Sequence, residues 1–186
     1  MTVTFPLTGE PLALDLLNTR SIAGDLVAEP GGLADWLAEQ AGRLTPVEAV
    51  GAAEVAAVRA VREAARAALD AVRVGERPPP DALRALNAVL AAAPAHRELA
   101  WSAEAGLTAA PRRDAAPAER LAAELAEAVA ELLTDPRVTS VRACEAQDCV
   151  LLFLPAHPRR RWCVASACGN RARVARYYAR HKEEPA

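Results

Sequence analysis

Residues 142–171 read RACEAQDCVLLFLPAHPRRRWCVASACGNR, and they contain all four cysteines of a 186-residue chain. Cys144 and Cys149 form one C-x4-C pair, Cys163 and Cys168 a second, and thirteen residues separate the pairs. Two thiol pairs, each closable in a tight turn, are the donor set of a tetrahedral zinc site, because soft thiolates bind zinc and four of them complete its shell. Four thiolates leave no open coordination position, so such a zinc is structural rather than catalytic. Two disulfides and unrelated free thiols are the alternatives. The N-terminus shows no basic start, apolar run and small-residue cleavage site, and a reducing cytoplasm favours the metal. His157, at the tip of Pro155-Ala156-His157-Pro158, is a possible replacement ligand but reads as an exposed loop residue.

Around the cysteines, Val150 to Leu154 and Arg160 to Val164 read as two strands of a zinc-clamped hairpin. Asn170 reads as the N-cap of a terminal helix over 171–181. Knuckle, hairpin and terminal helix together predict a treble-clef-like finger. A segment of about 50 residues buries too little surface to be comfortably stable alone, whereas zinc can contribute on the order of 10 kcal/mol.

The same segment is strongly basic. Arg159, Arg160, Arg161, Arg171, Arg173, Arg176, Arg180 and Lys182 lie between His157 and Lys182, with no acidic residue among them. Residues 137–186 carry net charge +6, whereas residues 1–136 carry −8. A cationic stripe on a zinc module is the footprint expected for a nucleic-acid phosphate backbone. A solvated face, or one docked on the acidic first part of the chain, is the competing reading. Tyr177 and Tyr178 could stack on bases, with at least one expected to pack on the finger hairpin.

The preceding 135 residues read as helical. Of the residue total, 46 are alanine, whereas Phe and Tyr number two each and Trp three, so the core must be aliphatic. Short helices are expected over 11–18 and from Gly31, where Leu33, Trp36 and Leu37 share one face. A long helix is expected from Thr45 to Val74, opened by the capping box Thr45-Pro46-Val47-Glu48 and ended by Gly75. In it Val55, Val58, Val61, Ala65, Leu69 and Val72 form the apolar stripe, and Arg59, Arg62, Glu63, Arg66 and Asp70 the solvated face. A helix over 81–93, a hairpin pairing 98–101 with 106–109, and a helix over 117–133 follow. Thr134-Asp135-Pro136 marks the boundary between a first domain, 1–135, and a second, 136–186. The expected fold is therefore mainly α with small β hairpins (α+β), a helical N-terminal domain followed by the finger.

Residues 161–171, with Cys168-Gly169-Asn170-Arg171 at their end, closely resemble the CGNR zinc finger. Residues 12–19 (LALDLLNT) and 33–37 (LADWL) are similar to the ABATE domain, which precedes this finger in bacterial stress-induced transcription regulators. The resemblance implies one zinc on Cys144, Cys149, Cys163 and Cys168, and a DNA-binding tail. The Pro-Ala-His-Pro tip departs from the small polar turn usual in that family.

These readings converge on a cytoplasmic zinc-binding regulator that engages DNA. The rival is a zinc-stabilised protein-interaction or self-association module. Asp15, Asn18, Thr19 and Arg20 could line a polar effector pocket, although helix capping explains Asn18 and Thr19 equally well. A homo-oligomer is possible, and no apolar stretch suits a membrane. No phosphate loop, nucleophile elbow or HExxH pattern points to an enzyme.

Overall fold

The structure is a computed structural model that describes residues 3–182, with side chains described as far as Tyr178. Six α-helices, two short helical turns and three two-stranded antiparallel sheets occur among these residues, in the expected α+β balance. In chain order they are α1 (Leu12–Leu17), β1 (Arg20–Ser21), β2 (Gly24–Asp25), α2 (Pro30–Glu39), α3 (Ala52–Val72) and α4 (Pro80–Ala92). Then come β3 (His96–Ser102), β4 (Gly106–Arg112), α5 (Pro117–Thr134), β5 (Arg142–Ala143), β6 (Leu152–Phe153) and α6 (Asn170–Lys182). No described helix is long and apolar enough to cross a membrane.

The helical body packs α3 along α5, with α1 and α4 against both. Val58, Val61 and Leu69 of α3 meet Leu121, Leu125 and Val129 of α5 in one core, which α1 completes with Leu14, Leu16 and Leu17. Alanines fill the remaining space. Ala65, Ala68, Ala122 and Ala126 are buried and small enough for the helices to approach closely. Trp36 is fully buried in this core, as its spacing predicts.

Helix α3 begins at Ala52, not Thr45. Two N-terminal signatures compete here, Thr45-x-x-Glu48 and Gly51-x-x-Glu54. The second wins because the Glu54 carboxylate accepts from the Gly51 N–H at 2.8 Å, whereas the Thr45 N–H donates instead to Glu124 of α5 at 2.9 Å. The other end is as expected: Gly75 takes a left-handed conformation (φ 78°), and the Glu76 N–H returns to the Ala71 carbonyl.

Arg62 corrects the solvated-face reading of α3, because it is almost fully buried. It forms a two-pronged pair with Asp25 of β2 at 2.7 and 2.5 Å, and donates to the Thr19 hydroxyl at 2.9 Å. This pairing holds the Asp25 carboxyl below the usual carboxylate range, since the Arg62 hydrogen bonds outweigh burial. Gly32 seats α2 against the same region, for a Cβ there would overlap the Leu26 carbonyl.

The expected hairpin at 98–109 forms and is longer, pairing His96 with Arg112 through to Ser102 with Gly106. At its base Arg113 donates to the Ala93 carbonyl and pairs with Glu127 of α5. Beyond α5, at the expected boundary, the chain does not leave the body. Val138, Val141 and Leu152 join its core, and Phe153 turns to a second, smaller cluster containing Cys144, Cys163 and Cys168.

Candidate functional site

The four cysteines are brought together by two separate local structures. Cys144 and Cys149 lie in the knuckle between β5 and β6, where Arg142 pairs with Phe153 and Ala143 with Leu152. The four-residue spacing closes through a turn in which the Cys149 N–H donates to the Ala146 carbonyl at 3.1 Å. Asp148 takes the left-handed conformation that this turn needs (φ 62°), which aspartate tolerates better than most residues. Cys163 precedes a π-helical turn, Ala165–Gly169, that contains Cys168 and leads directly into α6.

The hairpin expected between Val150–Leu154 and Arg160–Val164 does not form. Strand β6 pairs with β5 instead, and residues 154–164 form an irregular connection tied by Arg142 to the Pro158 carbonyl at 2.8 Å. Asn170 is likewise not an N-cap. Its backbone is already helical, and its side chain bridges the Ser166 carbonyl at 2.7 Å and Arg173 at 3.0 Å.

The four sulfurs all lie within 4.8 Å of one another. Cys149 is 3.8 Å from both Cys163 and Cys168, and Cys163 is 3.4 Å from Cys168. Thiolates about 2.3 Å from a central zinc stand about 3.8 Å apart, so the donor set matches a tetrahedral ion. Three of the four cysteines are buried and Cys149 is half-buried, and the chain can hold one zinc there. When bound, the metal would cross-link the knuckle to the head of α6 as a closed structural shell.

Two contacts place hydrogen-bond donors on cluster sulfurs. The Cys163 N–H donates to the Cys144 sulfur at 3.3 Å, and the Arg171 guanidinium lies 3.5 Å from the Cys168 sulfur. At Cys144, burial opposes ionisation, but N–H groups of Cys163 and Ala146 hold the thiol below its ordinary value. Burial pushes Cys149 and Cys163 up, reinforced at Cys163 by its sulfur neighbours. Four crowded thiols cannot all ionise unaided, and a divalent cation resolves that conflict. Gly169 belongs to this packing: a Cβ there would stand 3.4 Å from the Trp162 ring, so the ring covers the glycine. Trp162 thus serves packing.

The basic residues divide. Arg159, Arg161, Arg171, Arg173 and Arg176 are exposed. Arg161 pairs with Glu145 at 2.5 Å, and Arg176 donates to the Ala172 carbonyl at 3.2 Å within α6. Arg160 turns inward: its guanidinium lies 4.3 Å above the Phe153 ring, pairs with Glu10 at 2.8 Å and donates to the Cys163 carbonyl at 2.7 Å. The side chains of Arg180 and Lys182 lie outside the described residues. Tyr177 and Tyr178 are both exposed and meet edge to face at 5.8 Å, so neither is buried against the finger hairpin as expected. His157 accepts from the Arg159 N–H at 3.1 Å and is exposed, outside the cysteine cluster.

The four candidate effector residues serve separate internal contacts. Asp15 accepts from the Gly9 and Glu10 N–H groups at 3.0 and 3.1 Å and from Arg43 at 2.5 Å; burial nonetheless raises its carboxyl above the ordinary value. Thr19 donates to the Leu16 carbonyl at 2.6 Å. Asn18 donates to the Leu152 carbonyl at 2.9 Å and accepts from the Leu152 N–H at 2.8 Å. Arg20 lies on the surface beside Glu63 at 3.1 Å. The role of Asn18 in holding β6 has no signal in the sequence, because its partner is 134 residues away.

Comparison with curated proteins finds none that matches the chain. Two family models do: the ABATE domain, described as "Putative stress-induced transcription regulator", over residues 10–136, and the CGNR zinc finger over residues 140–181. The first spans more than half of the chain and the second covers all four cysteines, so this protein belongs to the ABATE family and carries a CGNR zinc finger.

Proposed function

We propose that this protein is a DNA-binding transcription regulator whose zinc-held tail contacts the phosphate backbone. The observation that carries the reading is the exposure of Arg159, Arg161, Arg171, Arg173 and Arg176 on one zinc-centred unit that contains no acidic residue from His157 to Lys182. A zinc bound by the four cysteines would fix the head of α6 and so present its arginines from the metal centre. The family description, a stress-induced regulator, supports the same reading. The helical body would serve assembly or sensing, in the cytoplasm and without catalysis of its own.

Fluorescence anisotropy with mixed duplex DNA across a salt series tests this. Binding should weaken steeply with salt. The triple variant Arg173→Ala, Arg176→Ala, Arg180→Ala should make the logarithmic salt dependence shallower by roughly 1 for each phosphate it no longer neutralises, while keeping its zinc. An unchanged affinity would remove α6 from the interface. Absence of binding at low salt would leave the finger as a protein-docking module.

A further inference from the structure

The hairpin β3–β4 stands out into solvent. Every residue of both strands is exposed except Gly106, which is half-buried beneath Trp101. The strand register places Leu99 opposite Ala109, and Trp101 opposite Leu107, on one face. Leu99 is 68% exposed, Trp101 76% and Leu107 67%. The opposite face is polar, with Glu98 paired to Arg112 and Thr108 bonded to the Ala100 carbonyl. A two-stranded hairpin is marginal in water, and one with a solvated apolar face lacks the cover that normally sustains it.

We propose that this face is the dimerisation surface of the protein, covered by the same face of a second copy in antiparallel orientation. Two independent gradients along the hairpin select that occupant. The first is size: the bulky Trp101 and Leu107 lie near the tip, and the small Ala109 and Pro111 nearer the base. An antiparallel pair therefore sets large residues against small ones at both ends. The second is charge: Arg97 stands at the base of the apolar face and Glu104 in the tip turn, so the same arrangement brings opposite charges together twice. A twofold pair is the commonest form of homo-oligomer and needs this self-complementarity.

The area is adequate. The three large side chains expose on the order of 400 Å² of apolar surface per copy, and with their flanks two copies approach the roughly 1,200 Å² at the lower end of specific interfaces. Pro111 offers no N–H to a further strand from β4, which favours packing face to face over open-ended extension at that edge.

Sedimentation equilibrium of the zinc-loaded full chain, without nucleic acid, tests the proposal. The wild type should be dimeric at tens of micromolar, and Leu99→Asp with Leu107→Asp should raise the dissociation constant at least about 100-fold. Zinc content and far-UV circular dichroism should stay at wild-type values, because the hairpin lies outside both cores. Should that variant misfold, the charge pair decides: Arg97→Glu should raise the constant about tenfold, and adding Glu104→Arg should restore it. A wild type that is monomeric throughout, a dimer indifferent to the aspartates, or a charge swap without recovery would each overturn the proposal. None of these outcomes depends on DNA binding.

Discussion

Asn18 and Leu152 exchange two buried hydrogen bonds across 134 residues, side chain to backbone in both directions at 2.9 and 2.8 Å. The Asn18 amide thus acts as the missing neighbour of strand β6, giving the Leu152 backbone the partner that a further strand would supply. Glu10 adds to the tie, accepting from the Leu154 N–H at 2.9 Å while pairing with Arg160 at 2.8 Å.

Replacing Asn18 by Ala should therefore destabilise the whole chain by about 3 kcal/mol, since both Leu152 backbone groups would be left without a partner in a buried setting. Thermal unfolding should show a melting point lower by about 8 °C. Asn18→Asp should cost as much or more, because a carboxylate faces the Leu152 carbonyl. A change within experimental scatter for both variants would disprove the bridging role.

Purified protein should contain one zinc per chain, and Cys163→Ser should abolish stoichiometric binding. A strong chelator should disorder the cysteine cluster but spare most helical signal, because the body has its own aliphatic core. Burial keeps Cys163 and Cys149 protonated in the absence of metal, so zinc entry must release protons, and affinity should fall as pH falls. Metal titrations in two buffers of different ionisation heat would count those protons.

The Asp25–Arg62 pair predicts an acid-sensitive stability. Asp25 ionises more readily folded than unfolded, so its contribution is fully present above the ordinary value of 3.8 and is lost as pH falls through the depressed folded value. Asp135, held at about 2 chiefly by hydrogen bonding from Arg137, has the same sign; Asp15, raised by burial, has the opposite one. Asp25→Asn should cost about 3 kcal/mol at neutral pH by stranding the Arg62 charge, and should flatten the acid limb of a stability-against-pH profile.

Gly32→Ala should be disproportionately damaging for a helical glycine. The added Cβ meets the backbone carbonyl of Leu26 rather than a flexible side chain, so the segment before α2 must shift, at about 2–3 kcal/mol. Gly31→Ala, one residue away with open space around it, should be nearly neutral or stabilising. Parallel denaturant titrations of the two variants compare them directly.

Arg160 and Arg161 should separate cleanly despite adjacency. Arg160→Ala removes the stacking over Phe153 and the Glu10 pair, and should lower stability by about 2 kcal/mol with little effect on the salt dependence of DNA binding. Arg161→Ala should leave stability nearly unchanged, its pair with Glu145 being exposed, and should reduce the salt slope. The reverse pattern would place Arg160 at the DNA.

The parts legible in sequence were those carried by short spacings. The two C-x4-C pairs located the metal centre, and the apolar stripe from Val55 to Val72 located the body of α3. What remained illegible depended on distant partners. Arg62 looks like a solvated arginine until Asp25, 37 residues earlier, is placed beside it. Arg160 sits among other arginines and differs only because Phe153 and Glu10 lie beneath it. Thr45-x-x-Glu48 is a sound capping pattern that loses when Glu124 captures its N–H. The apolar run Val150–Leu154 suits pairing with either neighbour, and the register of β6 is set by Asn18 and the body core.

The insertion of Leu152 into the body core also bears on how the protein is made. A ribosome that has released only the first 136 residues presents a bundle lacking Val138, Val141 and Leu152, with the Asn18 amide still open to water. The helices can form and associate early, but the core closes only after the knuckle has emerged, so nascent chains should remain protease-sensitive until then. Metal capture and completion of the bundle thus fall in the same short interval of synthesis.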